Sequence, residues 1–496
     1  MGLSAALNSA SSGLSTTQTS LDLVARNIAN VDTPGYTRKS LQRVPISVNG
    51  QTTGVRTLEI SRAVDSLLLG QVRTGLSAQG RTGAVADLLT RLDQMFGTPG
   101  AQGSLDATYN KFVDALRGLS DSPELTASRT SVLINSELLA NQLNSLSAQI
   151  QDLRQDAENG IAQATDQLNT LLRQVGDVND RLSLQQNNPD GAAGLLDERD
   201  RLVNQISQLL DVNIQTTKSG AITLTTGSGN VLVDTGFVRN LVFDANASIT
   251  PASSYNNDAT KRSVGTLSLD TGGGSLIDLF QANGVVSGKI GGLREVRDNA
   301  LVAAQAQLDE LASALASAVS TRDVGGTAVT SGAQAGFDID VTALQAGNSI
   351  EFKYIENGTP KTVSLVRVDD ASVLPLGNDA TPRTDDTVIG IDFSGGLAAA
   401  AAAIDTALGA GITVTTPGAN TLRFLDDGAA ATTSITSTKA IVTGTALAGE
   451  GLGLAMFTDG TGGSAYTGSF DGLGQKLGFA GRITLNGAVK GDETSL

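Results

Sequence analysis

Three side-by-side aspartate pairs, Asp369-Asp370, Asp385-Asp386 and Asp426-Asp427, are the residues whose type and spacing first suggest chemistry. Paired loop carboxylates are ligands for hard cations such as calcium. A twelve-residue calcium loop also needs oxygen ligands at alternate positions and a closing Glu, and no pair sits in such a frame. They read as solvated loop acids. Asp197, Glu198, Arg199 and Asp200 form a denser cluster in the run LLDERD. Two acids that cleave a glycosidic bond must flank a sugar-sized cleft, and these lie within one helical turn. Acids at a helix start are favoured by the helix dipole, and Arg199 is placed to pair with an acid on an adjacent helix. Gly451 and Gly453 supply half of a dinucleotide fingerprint, without its third glycine or its strand–turn–helix frame. Arg38 and Lys39 read equally as a solvated pair or as partners for acids on a neighbouring subunit.

Composition removes further chemistry. The 496 residues carry a formal net charge of −16 and contain no His, Cys or Trp. The commonest acid/base group and metal ligand is therefore missing, as are thiolate nucleophiles and disulfides. No catalytic residue, cofactor or metal is expected. Nucleic-acid binding needs a local Lys/Arg excess, and no basic cluster stands out. No run of 18 apolar residues is long enough to span a membrane. The start, MGLSAALNSA, lacks the basic and apolar regions of a cleaved signal.

The elements that must position any functional surface are mostly helical. Leu3, Leu7, Ala10, Leu14, Thr17, Leu21, Val24, Ile28 and Val31 recur in steps of four and three, a coiled-coil seam ending near Asn30. One helix with one apolar seam is marginal alone and needs a partner. Residues 41–60 read as an extended linker. Helices are predicted over 61–96 and 104–119, with Pro123 in the first turn of the next. The region 124–186 is a rod with seam residues Leu139, Leu146, Ile150, Leu168 and Leu171, and a one-residue slip near Gly160 predicts a bend or local unwinding. Asn187–Gly194 reads as a loop and 195–211 as a helix.

Period-two alternation then replaces helical periodicity at Val212–Thr216, Ile222–Leu224 and Val231–Val233, a small antiparallel sheet, with a further strand near Val264–Leu269. A return helix over 289–320 repeats Leu308 and Leu315 at seven. Beyond 326 the chain turns Gly-, Thr- and Asp-rich, with a hairpin turn at Asn357-Gly358. Strands are expected near 388–393, 412–415 and 421–425, and a short helix over 398–408. The resulting fold class is multidomain α+β: a long coiled-coil-like helical bundle rod with an inserted β-rich outer part. The predicted segments are 1–60, an N-terminal helix and linker; 61–325, the rod with a small β part at 212–285; 326–455, a variable β-rich domain; and 456–496, a return toward the rod.

Several separated segments add a resemblance. ARNIANVDTPGYTRK, residues 25–39, resembles the N-terminal signature of the flagellar axial family of rod, hook and hook-associated proteins. LLDERD at 195–200, GGLREVRDNALVAAQAQLDELASALASAVS at 291–320 and LGFAGRITLNGAV at 477–489 resemble, in the same order, the hook–filament junction branch. The resemblance implies a secreted structural subunit of the bacterial flagellum, exported by the flagellar type III apparatus and driving motility through self-assembly. Its partners would be hook protein, a second junction protein, the filament cap during assembly, an export chaperone and further copies of itself in an eleven-subunit ring. It assigns assembly to Leu3, Leu7, Ala10, Leu14, Leu21, Val24, Ile28, Asn27, Asn30, Pro34, Gly35 and Tyr36. Rod packing falls to Leu139, Leu146, Ile150, Leu168, Leu171, Asp197, Arg199, Asp200, Leu308 and Leu315. The family ends in a long amphipathic helix that pairs with the N-terminal one and engages the chaperone. No such helix follows GDETSL here, so Met1–Ile60 is expected to be irregular or poorly packed. A hook or distal-rod subunit, or an adhesin-like outer domain, is the alternative.

Overall fold

Long stretches without interior proline, rich in Leu, Ala and Gln, favour helix. A computed structural model of the chain describes residues 3–48, 51–185, 189–218, 220–281, 284–445, 453–460 and 463–491. Gly451 of the partial fingerprint and most of GDETSL lie outside the described residues. The helices of eight residues or more among the described residues are α1 (Leu3–Ala29), α2 (Ser66–Phe96), α3 (Leu105–Asp121), α4 (Thr126–Leu184), α5 (Pro189–Leu209), α6 (Gly288–Glu295), α7 (Leu301–Ser320) and α8 (Leu397–Leu408). A π-helical turn, Val296–Ala300, separates α6 from α7. The architecture is multidomain α+β. One compact unit comprises Met1–Arg91, Leu153–Ile249 and Ser253–Ala300, and the other Leu92–Asp152, Thr250–Ala252 and Leu301–Leu496.

In the first unit, the extended segment within 41–60 is paired and not an open linker. Strands β1 (Lys39–Val48) and β2 (Gln51–Arg62) form a long antiparallel ribbon, with Lys39 opposite Arg62 and Val48 opposite Gln51. The β-branched residues favour this pairing over an open segment. Over the described residues 3–48 and 51–60, the expected irregularity is corrected to a regular helix and two paired strands that pack on each other, while the expected poor packing holds for the leucine row, with Leu3, Leu7, Leu14 and Leu21 exposed. Strands β3 (Val212–Thr216), β4 (Ile222–Thr226), β5 (Val231–Asp234) and β6 (Phe237–Val238) form one sheet in sequence order. A second sheet joins β7 (Leu241–Asp244), β8 (Thr266–Asp270) and β9 (Leu276–Asp278). The core collects Leu168, Leu172 and Val175 of α4, Leu202, Val203 and Ile206 of α5, and Leu224 and Val233 of the sheet.

Three helix expectations shift. α4 begins at Thr126, because the Leu125 N–H bonds the Ser122 carbonyl and Pro123 occupies the second position of that turn. α5 begins at Pro189, six residues before Leu195, with proline in the first-turn position it tolerates. α4 remains helical through Gly160, so the predicted unwinding does not occur. A Cβ at Gly160 would lie 3.1 Å from Leu293 Cδ1, so the bare backbone there makes room for α6.

In the second unit, β10 (Thr321–Gly325), β11 (Thr327–Ser331), β12 (Gln334–Asp340), β13 (Ser349–Glu356), β14 (Thr359–Val368), β15 (Thr387–Asp392), β16 (Thr413–Gly418), β17 (Thr421–Leu425) and β18 (Thr433–Thr443) build two sheets. Their orders are β10-β18-β13-β14-β15 and β11-β12-β17-β16. Phe352, Phe424, Ile350, Leu365, Ile391 and Ile404 of α8 share one core. The β13–β14 hairpin turns at Asn357-Gly358, both with positive φ. Leu139, Leu146 and Ile150 of α4 and Leu308 and Leu315 of α7 are buried within this unit.

Candidate assembly surface

α1 carries two different faces. Thr16 and Leu23 are buried, and Ser12, Ser20 and Asn27 beside them are half-buried. This small, polar face lies on β2, where Val55 N–H donates to Ser12 Oγ at 3.3 Å. Gly54 makes the approach possible, since a Cβ there would stand 2.8 Å from Ser12 Oγ. The other face holds Leu3, Leu7, Ala10, Leu14, Leu21, Val24 and Ile28, all exposed, with exposed Val31 just beyond the helix. Leu21 is 65% exposed while Leu23, two positions on, is 6% exposed. The seam is thus fully formed and uncovered among the described residues.

The turn after α1 is built by residues of the signature. Thr33 C=O accepts the Tyr36 N–H at 3.1 Å, with Pro34 and Gly35 between them. Proline presets the second turn position, and Gly35 takes the positive φ of +82° that the third requires. Asn30 ties the helix end by donating from Nδ2 to Arg26 O at 2.9 Å. Asn27 then fastens the turn to β1. Its Nδ2 donates to Lys39 O at 2.8 Å, and its Oδ1 accepts from Lys39 N at 3.0 Å and from Tyr36 Oη at 2.9 Å. Lys39 Nζ lies 4.3 Å from the centre of the Tyr36 ring, a cation–π contact.

LLDERD anchors this assembly from α5. Asp197 Oδ1 accepts Thr37 Oγ1 at 2.5 Å and lies 2.9 Å from Arg62 Nε, while Oδ2 lies 2.9 Å from Lys39 Nζ. Asp200 receives Arg62 Nη2 at 2.5 Å, Arg73 Nη2 of α2 at 3.0 Å and Arg199 Nη2 at 2.8 Å. Burial works against the Asp200 carboxylate most strongly, yet Arg199 and Arg62 together outweigh it and hold its pKa below the ordinary value. Lys39 therefore meets an acid of its own chain. Arg199 pairs with its neighbour Asp200 and donates to Gly220 O, and Glu198 is the residue that approaches α4, through Arg181 at 3.7 Å.

Sequence reasoning passed over Arg62 and Arg73, lone basic residues with no local pattern. It also passed over the buried cluster around Glu158 and Arg297. Arg297 Nη1 lies 2.5 Å from Glu158 Oε2, both side chains wholly buried, and Arg154 Nη2 donates to Ser253 O at 2.6 Å. The spare Glu158 oxygen accepts the Asn246 and Gly265 N–H groups at 2.8 and 2.7 Å. These bonds satisfy charge and tie β7–β8 to α4. Leu168 and Leu171 pack in the same unit. Among the described residues no group of three or more acids is placed to hold a metal ion, and no helix is long and apolar enough to cross a membrane.

Comparison with known proteins places this geometry. The family model "Flagellar hook-associated protein FlgK helical domain" matches residues 89–339, half of the chain, and "Flagella basal body rod protein" matches residues 7–37. Flagellar hook-associated protein 1 of Escherichia coli K12 is 26% identical over 246 residues, 48% of this chain and 45% of its own length. That of Salmonella typhimurium is 24% identical over 370 residues, covering 73% and 63%. That of Bacillus subtilis is 26% identical over 242 residues, covering 46% and 47%. These matches span from under half to under two thirds of the relatives' own length. The solved flagellar hook junction protein FlgK from Burkholderia pseudomallei aligns with a TM-score of 0.44 at 18% identity, over 83% of this chain and 65% of that one. With its helical domain matched across half its length, the chain belongs to the flagellar hook-associated protein FlgK family.

Proposed function

We propose that this chain is a structural subunit of the bacterial flagellum that joins hook to filament, with no catalytic role. The relatives' names and the matched helical domain support it, and the observation that carries it is the uncovered heptad face of α1. A helix that seats its polar face on its own chain and leaves its leucines bare is built to be buried by something else. The partners are hook protein on one side and a second junction protein on the other, with further copies of this chain completing a ring. The filament cap and an export chaperone act during delivery through the type III apparatus. Asp197 and Asp200 hold the arm in place, and Leu3, Leu7, Leu14, Leu21, Val24 and Ile28 make the contacts. The match of residues 7–37 to a rod model favours the same inner position for that segment in any axial subunit.

The test is expression in a flagellated strain lacking its own junction protein, beside a Leu14→Asp/Leu21→Asp variant. The parent chain should restore attached filaments. The variant should be exported but leave hooks bare. Attachment by the variant at the parent's level would refute the assigned role of the seam.

A further inference from the structure

An asparagine followed by glycine is chemically exposed, because no Cβ on the second residue obstructs attack of its backbone nitrogen on the asparagine side chain. Among the described residues the chain holds three such pairs, Asn159-Gly160, Asn357-Gly358 and Asn486-Gly487. The fold treats each differently. Asn159 and Gly160 lie inside α4, where the Gly160 N–H belongs to the helix ladder. Gln155 Nε2 also meets Asn159 Oδ1 at 3.4 Å. Asn486 is held at both ends of its amide. Its Nδ2 donates to Ala455 O at 2.7 Å, and its Oδ1 accepts the Ala488 N–H at 3.0 Å.

Asn357-Gly358 is free by comparison. Both residues are exposed at the tip of the β13–β14 hairpin, where Glu356 pairs with Thr359 across a two-residue turn. Neither the Asn357 side chain nor the Gly358 N–H has a hydrogen-bond partner among the described residues. Nothing lies within 4 Å of a Cβ built at Gly358. Beyond the hairpin ladder, the tip is tied by the Asn357 N–H, which donates to Thr432 O at 2.8 Å. Rotation about the Asn357 ψ angle carries the Gly358 nitrogen toward Cγ. That motion opens the last rung of the hairpin and displaces no buried side chain, since Glu356, Asn357, Gly358 and Thr359 all reach solvent.

We infer that Asn357 is a site of spontaneous deamidation in the folded chain. Hydroxide takes the Gly358 N–H proton, and the nitrogen attacks Asn357 Cγ. A C–N bond forms as the Cγ–Nδ2 bond breaks, and the leaving nitrogen takes a proton from water and departs as ammonia, which regenerates hydroxide. One water then opens the cyclic imide. Opening at one carbonyl leaves aspartate, and opening at the other leaves isoaspartate, whose main chain runs through Cβ and Cγ. Either product adds a negative charge beside Glu356, whose carboxylate pairs with Lys361. Isoaspartate also lengthens the two-residue turn by one backbone atom. The conversion is independent of any junction role.

The test holds the purified full-length chain at mildly alkaline pH, folded in buffer and unfolded in guanidinium chloride, and follows each pair by peptide mass spectrometry. Unfolded, the three pairs should convert at similar rates. Folded, Asn357 should stay within about tenfold of its unfolded rate, because opening a hairpin tip costs little, while Asn159 and Asn486 should slow by about a hundredfold or more. A folded chain in which Asn357 converts no faster than Asn159 or Asn486 overturns the inference. The variant Gly358→Asn checks the attacking atom, since asparagine tolerates the positive φ of +80° there but crowds the nitrogen. It should fold and convert severalfold more slowly at Asn357. Conversion at the unsubstituted rate would place the attack elsewhere and overturn the assignment.

Discussion

Lys39 Nζ and Asp197 Oδ2 stand 2.9 Å apart, and that ion pair joins the two sequence signatures that looked independent. The strand that follows the ARNIANVDTPGYTRK turn and the acids of LLDERD are two halves of one socket. Its members are buried, so its strength comes from mutual satisfaction and not from charge alone. Removing one member of a buried, bonded charge set strands the others.

Asp200→Asn should therefore cost about 3 kcal/mol, since Arg62, Arg73 and Arg199 would lose their shared carboxylate. Thermal unfolding of the two chains measures it. Hydrogen exchange should show the loss in β1–β2 and α2.

Acidification should expose the same socket. The Asp200 pKa is lowered in the folded chain, so its contribution is present above the ordinary carboxylate range near 3.8 and fades as pH falls through the folded value. Asp309 of α7 behaves oppositely. Burial is its largest influence and raises its pKa, although the Ala480 and Gly478 N–H groups and Gln305 favour its charged form. Its contribution is largest below the ordinary range and is lost as pH rises through the folded value. Hydrogen exchange across pH 3–6 should show β1–β2 loosening toward the acid end while α7 around Asp309 gains protection. Equal loosening of both segments would contradict the assignment.

Two neighbouring glycines of α2 should respond with opposite sign. A Cβ at Gly80 would lie 2.1 Å from Gln208 O, so Gly80→Ala forces α2 away from α5 and should destabilise by about 2 kcal/mol. Nothing lies within 4 Å of a Cβ at Gly83, and Gly83→Ala should stabilise by about 0.5–1 kcal/mol through helix propensity. Denaturant midpoints at unchanged slope separate the two.

The faces of α1 should separate in the same way. Leu23→Ala removes a buried side chain and should cost about 2 kcal/mol, read as faster exchange in α1 and β2. Leu21→Ala should leave exchange unchanged and lower only filament attachment.

Helices were legible wherever heptad spacing ran long, as in α4 and α7, because burial of one stripe imposes that spacing. Strands β4 and β13–β14 were legible through alternation and a turn dipeptide. The ribbon β1–β2 was legible as an extended segment through short alternating stretches at Val44–Val48 and Val55–Ile60, but not as a paired ribbon, because its burial comes from Ser12, Thr16 and Leu23 of another element. β10–β12 escaped for a related reason: Thr, Ala and Gly give little apolar contrast, and strand pairing set by distant partners decides the outcome. In the candidate surface, the seam and both motifs were visible as residues. Their contact with Arg62 and Arg73 was not, because long-range ion pairs leave no periodicity. The π-turn at Val296–Ala300 likewise has no local composition that announces it, and it contains the buried Arg297.

Ser12 on Val55 and Asn27 on Lys39 grip α1 at two points about 22 Å apart along its axis. A cylinder held at a single point can spin about its long axis, and one held at two points on the same side cannot. The bearing direction of the leucine row is thus set by the ribbon before any neighbour arrives. A twisting load on that row would pass into the ribbon and its ionic socket. Residues 12 and 54 then act as the keyway of a coupling, and bulk added at either would misalign the row without unfolding it.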